Sequence, residues 1–536
     1  MTTSLLLVVL SAFGADAPVA EAADTVIVCP PQFHEALRPW MQYRADQGHR
    51  FAIASHAKSA KQIRAEIRAI ARSGDLKYVL LVGDAEPTAE TDATVRKRCV
   101  PTFHLDAKVN VKWGSEPILA SDNPYADLDD DGEPDLAVGR LPVDNVQELS
   151  ALVRRLIAYE KSQDLDLWRR NIHFVAGVGG FGVIADTVLE RVTGKFIADG
   201  IPAAYSTTVT YGSWRSPYCP DPRDFHQVTV DRLNEGGLFW VYIGHGHSRM
   251  LDRVRVPGGS HHILDVRDMA KLKVKTGPPI ALFLACYTGA FDFSHDCLAE
   301  DLIRTEGGPI AAISGSRVTM PYAMAVMGDG MLHEYFEKKR PTLGMVLLHA
   351  KQRMLDTETD QPNRRMIDSI ATVLSPSRNE LHLERAEHAA LFNLFGDPLL
   401  RLKHGKEISL TAEKKATAGE KIIVRCDSPV KGDCTVELVC RRDRLRFTPP
   451  TRDRYLEEDK ELADYNRVYE AANNTRWAAG KFPIEKGEFE QEIKIPHEAA
   501  GACHVRVFIA GQNDFALGAT DVYIRRPPAS DSQPQG

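Results

Sequence analysis

The first eighty positions alternate between two hydrophobic rhythms. Residues 25–28 (Thr-Val-Ile-Val) form a short apolar run, and residues 32–47 follow a helical period that Gly48 stops. Residues 51–54 read as a strand, and residues 59–72 place Ile63, Ile67 and Ile70 on one helix face. Residues 78–82 are again an unbroken apolar run. Strand–helix alternation of this kind predicts a parallel sheet. A loop from residue 83 to about residue 134 follows, of a length usually reserved for function, and then a helix over 146–161.

A second α/β unit starts near Trp168. The pattern predicts strands over 172–176 and 202–205 with a helix over 184–199 between them, and a helix over 225–234. Strands ending before His245 and Cys286 come next, separated by a helix around 266–272. A helix over 297–304, a strand over 309–314 and helices over 323–338 and 342–356 complete the unit. Beyond about Lys403 the texture changes to short alternating segments at 408–410, 421–425, 435–439, 489–495, 504–509 and 521–525. That pattern predicts a β-sandwich. A charged insert over 441–480, helical around 464–472, interrupts it. The expected division is a signal peptide over 1–22, α/β subdomains over 23–165 and 166–404, a sandwich over 405–526 and a polar tail over 527–536.

Composition narrows the function classes. A chain of 536 residues calls for two to four domains. A formal charge of −7, with no basic run interleaved with aromatics, gives no electrostatic case for nucleic acid. No apolar stretch reaches the roughly 18 to 20 residues that span a bilayer. The apolar run over 5–13 precedes Ala20-Glu21-Ala22, an A-x-A pattern, although no Lys or Arg comes before it. It reads as a secretory signal, which implies a secreted, periplasmic or cell-surface protein. Nine cysteines is an odd count, so at least one thiol is unpaired or pairs outside the chain. Cys426, Cys434, Cys440 and Cys503 cluster in the last domain, where one or two disulfides are possible.

The chemistry concentrates at two strand ends. Residues 238–243 are an apolar run ending in Gly244-His245-Gly246, and residues 280–285 are another ending in Cys286. Continuous apolar runs mark strands buried on both faces of a parallel sheet. Catalytic groups in such sheets gather at the carboxyl ends of strands. A His and a Cys delivered there suit a nucleophilic thiolate and its imidazole partner. Each residue alone has a plainer explanation: Cys286 as an inert core thiol and His245 as a loop residue. Cys297, on a predicted helix, reads as structural.

Three further patterns compete. His245-Gly246-His247, with His261-His262 nearby, spells a zinc-binding pair and supports a metal-hydrolase alternative, but it leaves Cys286 unexplained. Residues 177–182 fit G-x-G-x-x-G between a strand and a helix. No ribose-binding acid ends the next strand, so a tight turn is the better reading and no organic cofactor is implied. Asp127, Asp129, Asp131 and Asp135 alternate around Gly132 like the front half of a calcium loop, without the closing Glu of an EF-hand. A structural Ca2+ there and a solvated acidic turn are both compatible with the sequence.

Taken in order, these segments resemble the gingipain family, peptidase family C25. The resemblance rests on Gly244-His245-Gly246, Ala285-Cys286, residues 80–84 (Leu-Leu-Val-Gly-Asp), residues 122–129, Gly139-Arg140-Leu141-Pro142 and residues 393–398 (Asn-Leu-Phe-Gly-Asp-Pro). It covers roughly residues 24–404. It implies a caspase-like α/β catalytic region followed by an immunoglobulin-like domain. It also implies a cysteine endopeptidase acting on protein or peptide substrates, with Cys286 as nucleophile and His245 as general acid/base. The oxyanion donors would be the N–H groups of Gly246 and Cys286. The family's best-known members cleave after Arg or Lys through an acidic pocket. Asp292 and Asp296 lie close after Cys286, but the pocket acid and the acid orienting the histidine are not assigned. Oligomeric state is left open. The alternative from another class is a non-catalytic surface or binding protein that keeps a relic peptidase fold.

Overall fold

The computed structural model describes residues 22–178, 200–357 and 361–527. Most of the expected signal segment, the helix over 184–199 and all but the first residue of the tail lie outside the described residues.

One ten-stranded sheet runs through both α/β units. Its order is Phe51–Ala54, Thr25–Val28, Tyr78–Val82, Ala137–Leu141, Phe392–Phe395, Ala311–Gly315, Ile280–Leu284, Phe239–Ile243, Asn171–Ala176 and Ser206–Tyr211. The first five strands are mutually parallel, and so are the last five. The halves meet antiparallel where Phe392–Phe395 pairs with Ala311–Gly315. The apolar runs are continuous because both faces are covered. Ile280, Leu282 and Leu284 pack with Phe239 and Val241 in one core, while Ala281 and Phe283 pack with Trp240 and Tyr242 in another. The helix Ala60–Ala71 starts at a capping box between Ser59 and Gln62 and buries Ile63 and Ile67.

Several elements differ from the periodicity. The strand expected over 202–205 forms instead at Ser206–Tyr211. Pro202 has no N–H to give a ladder, whereas Thr207, Thr208, Val209 and Thr210 are β-branched and suit a half-exposed edge strand. The long loop contains an antiparallel hairpin, Phe103–Asp106 with Ile118–Ser121. Helices Pro362–Leu374 and Leu381–Leu391 were not expected. The segment Val266–Lys271 is a 3-10 run rather than an α-helix.

After residue 405 the chain builds a second, all-β core. Phe515–Arg525, Gly501–Gly511, Gly432–Cys440 and Arg476–Ile484 pair in that order, and Lys421–Ser428 pairs separately with Gly487–Lys494. Ile422, Val424 and Ile493 from the ribbon meet Val436, Leu438, Val505 and Val507 from the larger sheet. All nine cysteines are free thiols, including Cys440 and Cys503, which stand opposite each other in register.

The charged insert is divided between two jobs. Its end, Arg476–Ile484, joins the sheet. Its helix, Asp459–Asn473, packs on the edge strand of the large sheet: Tyr469 Oη lies 2.8 Å from Thr210 Oγ1, and Asn473 bonds the Val209 amide at 2.7 Å. A buried ion pair also joins the regions, with Glu437 accepting from Arg170 at 2.7 Å and from Arg506 at 2.6 Å.

Candidate active site

The histidine strand Phe239–Ile243 and the cysteine strand Ile280–Leu284 are parallel neighbours, with Ile243 opposite Leu284. His245 and Cys286 each lie two residues beyond that last pair (245 minus 243, and 286 minus 284). Gly244 N continues the pairing by donating to Leu284 O at 3.2 Å. Gly244 has φ +155, and a Cβ there would lie 2.8 Å from Tyr242 Oη. A Cβ at Gly246 would lie 2.7 Å from Cys286 O and 2.8 Å from Thr288 Cγ2. Gly246 therefore lets the two strand ends close on each other, while Gly244 makes room for the Tyr242 hydroxyl.

His245 is half-buried, and its carbonyl accepts from Tyr242 Oη at 2.8 Å and from Asp252 N at 3.1 Å. These bonds fix the backbone from which the imidazole projects. The chain then turns back, with Gly246 opposite Leu251 and His247 opposite Met250.

Cys286 is half-buried, whereas the other eight cysteines are buried. Burial pushes the thiols of Cys29, Cys99, Cys434 and Cys503 up to about 12 and that of Cys440 to about 11. It raises Cys219, Cys297 and Cys426 as well. Cys297, at the start of the helix Leu298–Arg304, is thus a core thiol. The Cys286 sulfur accepts from the Thr319 backbone N at 3.3 Å and from Thr319 Oγ1 at 3.6 Å. The thiol in turn donates to Thr319 O at 3.7 Å.

Tyr287 takes φ +56, a left-handed conformation that costs a non-glycine residue about 1 kcal/mol or more. Its N–H donates to Arg317 O at 3.1 Å and its hydroxyl to Glu116 Oε2 at 2.8 Å. These bonds hold the chain in its sharp turn right after the cysteine.

The two acids nearest Cys286 in sequence are both paired. Asp292 is buried and accepts from Arg317 Nη1 at 2.8 Å and Nη2 at 2.6 Å, with His104 Nε2 at 3.1 Å. Burial opposes ionisation of this carboxyl, but the Arg317 and His104 bonds outweigh it and hold the group at about 2. Asp296 pairs with Arg304 at 2.9 Å.

Other motif residues form the frame. Arg140, fully buried, binds both oxygens of Asp122 at 2.7 Å and donates to the carbonyls of Gly83 and Val100 at 2.9 Å. Asp397 accepts from Trp40 Nε1 and Arg44 Nη2 at 2.5 Å each. Of the G-x-G-x-x-G segment, Gly177 and Val178 are described, and Gly177 N donates to Ile243 O at 2.9 Å. The rest of that segment lies outside the described residues.

Ligand atoms of Asp127, Asp129 and Asp135 lie within 4.8 Å of one another, an arrangement of hard oxygens that fits Ca2+. Asp131 is not in that group, and its Oδ1 accepts from Glu133 N at 2.7 Å. Arg64 Nη2 also reaches Asp127 Oδ1 at 3.0 Å, and Arg68 reaches Asp130 at 2.7 Å. Burial raises the Asp135 carboxyl, and the charges of Asp129, Asp131 and Asp127 add to the rise. Among the described residues, no group of three metal-ligating side chains includes His245 or His247.

Thr319, Tyr287 and Arg317 escaped the sequence reading. Arg317 and Thr319 follow Ala311–Gly315, the strand beside the cysteine strand. The rule that functional groups collect at carboxyl ends of parallel strands applies to that strand too and was the available signal.

The profile of peptidase family C25 matches residues 19–403. Gingipain R2 of Porphyromonas gingivalis is 22% identical over 437 residues, which cover 76% of this chain and 50% of that protein. Lys-gingipain W83 of Porphyromonas gingivalis is 22% identical over 308 residues, covering 54% of this chain and 15% of that protein. The chain thus spans half or less of these relatives' length. The crystal structure of the Arg-specific cysteine proteinase gingipain R superposes with a TM-score of 0.51 at 16% identity, covering 94% of this chain and 98% of that one. This likeness establishes a common mixed α/β fold. With its profile match running through both α/β units, the chain belongs to peptidase family C25.

Proposed function

We propose that this chain is an exported cysteine endopeptidase in which Cys286 is the nucleophile and His245 the general acid/base. One observation carries the reading: the two residues follow adjacent parallel strands, each two positions past the last paired residue, and Cys286 is the cysteine that burial leaves within reach. The Cys286 thiolate attacks the scissile carbonyl carbon and forms a tetrahedral oxyanion. The N–H groups of Gly246 and Cys286 stabilise that oxyanion. It collapses to a thioester as the C–N bond breaks and His245 protonates the leaving amine. His245 then takes a proton from water, which hydrolyses the thioester and restores the thiolate. Substrate lies extended across the carboxyl ends of the strands.

Other parts of the proposal rest on separate supports. The Asp127, Asp129 and Asp135 oxygens would hold a structural Ca2+, with Asp131 bracing the turn. The two-sheet core after residue 405 would be an immunoglobulin-like sandwich, set apart from subdomains at 23–165 and 166–404. Export rests on the apolar N-terminal run. Asp292 and Asp296 are not proposed as a basic-residue pocket, because arginines already hold both.

The test is cysteine mapping with an iodoacetamide probe on the reduced protein, beside Cys286→Ala and His245→Ala. Fast labelling confined to Cys286 and slowed by loss of His245 is expected. Slow labelling spread over several cysteines and indifferent to His245 overturns the dyad and favours a non-catalytic binding protein.

A further inference from the structure

The helix Leu381–Leu391 grips the segment that carries Thr319 at three points. Ser316 N donates to Leu391 O at 3.1 Å, and Ala323 N donates to Glu384 Oε1 at 3.2 Å. Between them, Met320 N donates to His388 Nε2 at 2.7 Å. Thr319 O and Met320 N belong to one planar trans peptide, whose C=O and N–H point opposite ways. On its oxygen side that peptide meets the Cys286 thiol, which donates to Thr319 O at 3.7 Å. On its nitrogen side it meets His388. The same residue, Thr319, also turns its N and Oγ1 to the sulfur, at 3.3 and 3.6 Å.

We propose that His388 is a positioning residue for Cys286: its neutral ring, protonated on Nδ1, fixes the Thr319–Met320 peptide and with it the place of the sulfur. This rests on the reading of Cys286 as the nucleophile.

The tautomer follows from the partners. The Met320 N–H can only donate, so Nε2 is bare. Glu384 O, 2.7 Å from Nδ1, can only accept, so Nδ1 carries the proton. His388 is fully buried. Burial lowers it to about 4, against the opposing effect of the Glu384 carbonyl, so the ring is neutral at physiological pH. A proton on Nε2 would set two N–H groups against each other and turn the peptide away.

The flanks of the segment are tied without His388. Ser316 Oγ donates to Ala120 O at 2.7 Å and Arg317 Nε to Ile118 O at 2.9 Å. Glu387 accepts from the backbone N of Lys108, of Val109 at 2.6 Å and of Asn110 at 2.9 Å. Asn110 Nδ2 in turn donates to Val318 O at 2.7 Å. Loss of the imidazole should therefore tilt one peptide plane beside the sulfur rather than unfold the segment.

The experiment separates the two ring nitrogens in the full chain. His388→Asn keeps a donor near the Nδ1 position and removes the Nε2 acceptor. His388→Gln keeps an acceptor at the Nε2 position and removes the Nδ1 donor. Cleavage of a proteome-derived peptide library is followed by mass spectrometry beside Cys286→Ala, with thermal melts to check folding. Exchange of the Met320 amide gives a readout independent of turnover. After His388→Asn, cleavage should fall about ten- to a hundredfold, as for a misplaced reacting group. The Met320 amide should then exchange about tenfold faster or more. His388→Gln should retain most of the rate and of the protection. NMR of the parent with isotope-labelled histidine should show the His388 proton on Nδ1 at neutral pH. Cleavage that is absent from the parent, or that survives Cys286→Ala, overturns the dyad and the role drawn from it. Cleavage lost in Cys286→Ala but undiminished in folded His388→Asn overturns the positioning role alone. Equal losses in the Asn and Gln variants do the same. A proton on Nε2 in the parent also overturns it, whether or not His388→Asn folds.

Discussion

Asp292 and Arg317 form a buried two-point ion pair at the mouth of the Cys286 turn, with contacts of 2.8 and 2.6 Å. An acid already satisfied this way has no charge to offer a basic substrate side chain. Asp292→Asn is therefore expected to leave the ratio of cleavage after Arg and after neutral residues unchanged in a peptide library. It should destabilise the fold by about 3–5 kcal/mol, because buried Arg317 keeps only the longer Glu116 contact, at 3.6 Å, as counter-charge. The sign with pH follows from the depressed carboxyl. The pair's contribution is full above the unfolded value near ~3.9 and is lost as pH falls toward about 2. Thermal unfolding of the parent and the variant between acid and neutral pH checks this: their difference should shrink below about pH 4.

Gly246 tests the oxyanion geometry. A methyl group there would meet Cys286 O at 2.7 Å and Thr288 Cγ2 at 2.8 Å, so the two strand ends must part. Gly246→Ala should reduce kcat by about 100- to 1000-fold, the usual loss when one oxyanion donor is displaced. Iodoacetamide labelling of Cys286 should persist, since alkylation forms no oxyanion. Loss of labelling together with turnover would mean that the dyad itself had been disrupted.

Thr319 tests the support of the sulfur. Thr319→Val keeps the backbone donor at 3.3 Å but removes the hydroxyl at 3.6 Å. A hydrogen bond of this kind contributes about 0.5–1.5 kcal/mol. The alkylation rate of Cys286 at neutral pH should therefore fall about two- to tenfold. An unchanged rate would assign Thr319 to packing alone.

Glu437 tests the joint between the two regions. Its carboxylate is buried between Arg170 and Arg506, at 2.7 and 2.6 Å. Glu437→Gln should cost about 3–5 kcal/mol in urea unfolding, because two buried guanidinium groups lose their counter-charge. Burial opposes ionisation of Glu437, but Arg506 and Arg170 together lower its value. Its contribution is thus complete above the unfolded value near ~4.3 and is lost as pH falls below it. Limited proteolysis should then release the region after residue 405 more readily from the variant.

What the sequence revealed follows from which forces are local. The strands before His245 and Cys286 were legible because burial on both faces demands unbroken apolar runs, and the two strands pair directly as parallel neighbours. Ser206–Tyr211 was not, because an edge strand with one wet face needs no apolar run, only the β-branched residues it has. The pairing of Asp292 with Arg317 joins two loops and leaves no periodic trace. The same holds for the stacking of His226 on His262, which depends on where a helix start meets a hairpin end. The charged insert gave no sign of where it packs, because its polar residues dominate. Its helix nonetheless buries Leu462, Tyr465 and Tyr469 against the edge of the large sheet.

The acidic loop offers the last test. Asp127, Asp129 and Asp135 converge, and their mutual repulsion acts on Asp135 after burial has already raised it. Arg64 and Arg68 relieve part of that charge at Asp127 and Asp130, but neither pairs with Asp129 or Asp135 among the described contacts. A Ca2+ ion would neutralise the remainder. Calcium at one hundred times its Kd should stabilise the fold by about 2.7 kcal/mol, read as a higher Tm. EGTA should reverse the rise. Asp129→Asn should abolish the response while leaving the Arg64 and Arg68 contacts intact. If the Tm is indifferent to calcium, the two arginines suffice and the loop is a solvated acidic turn.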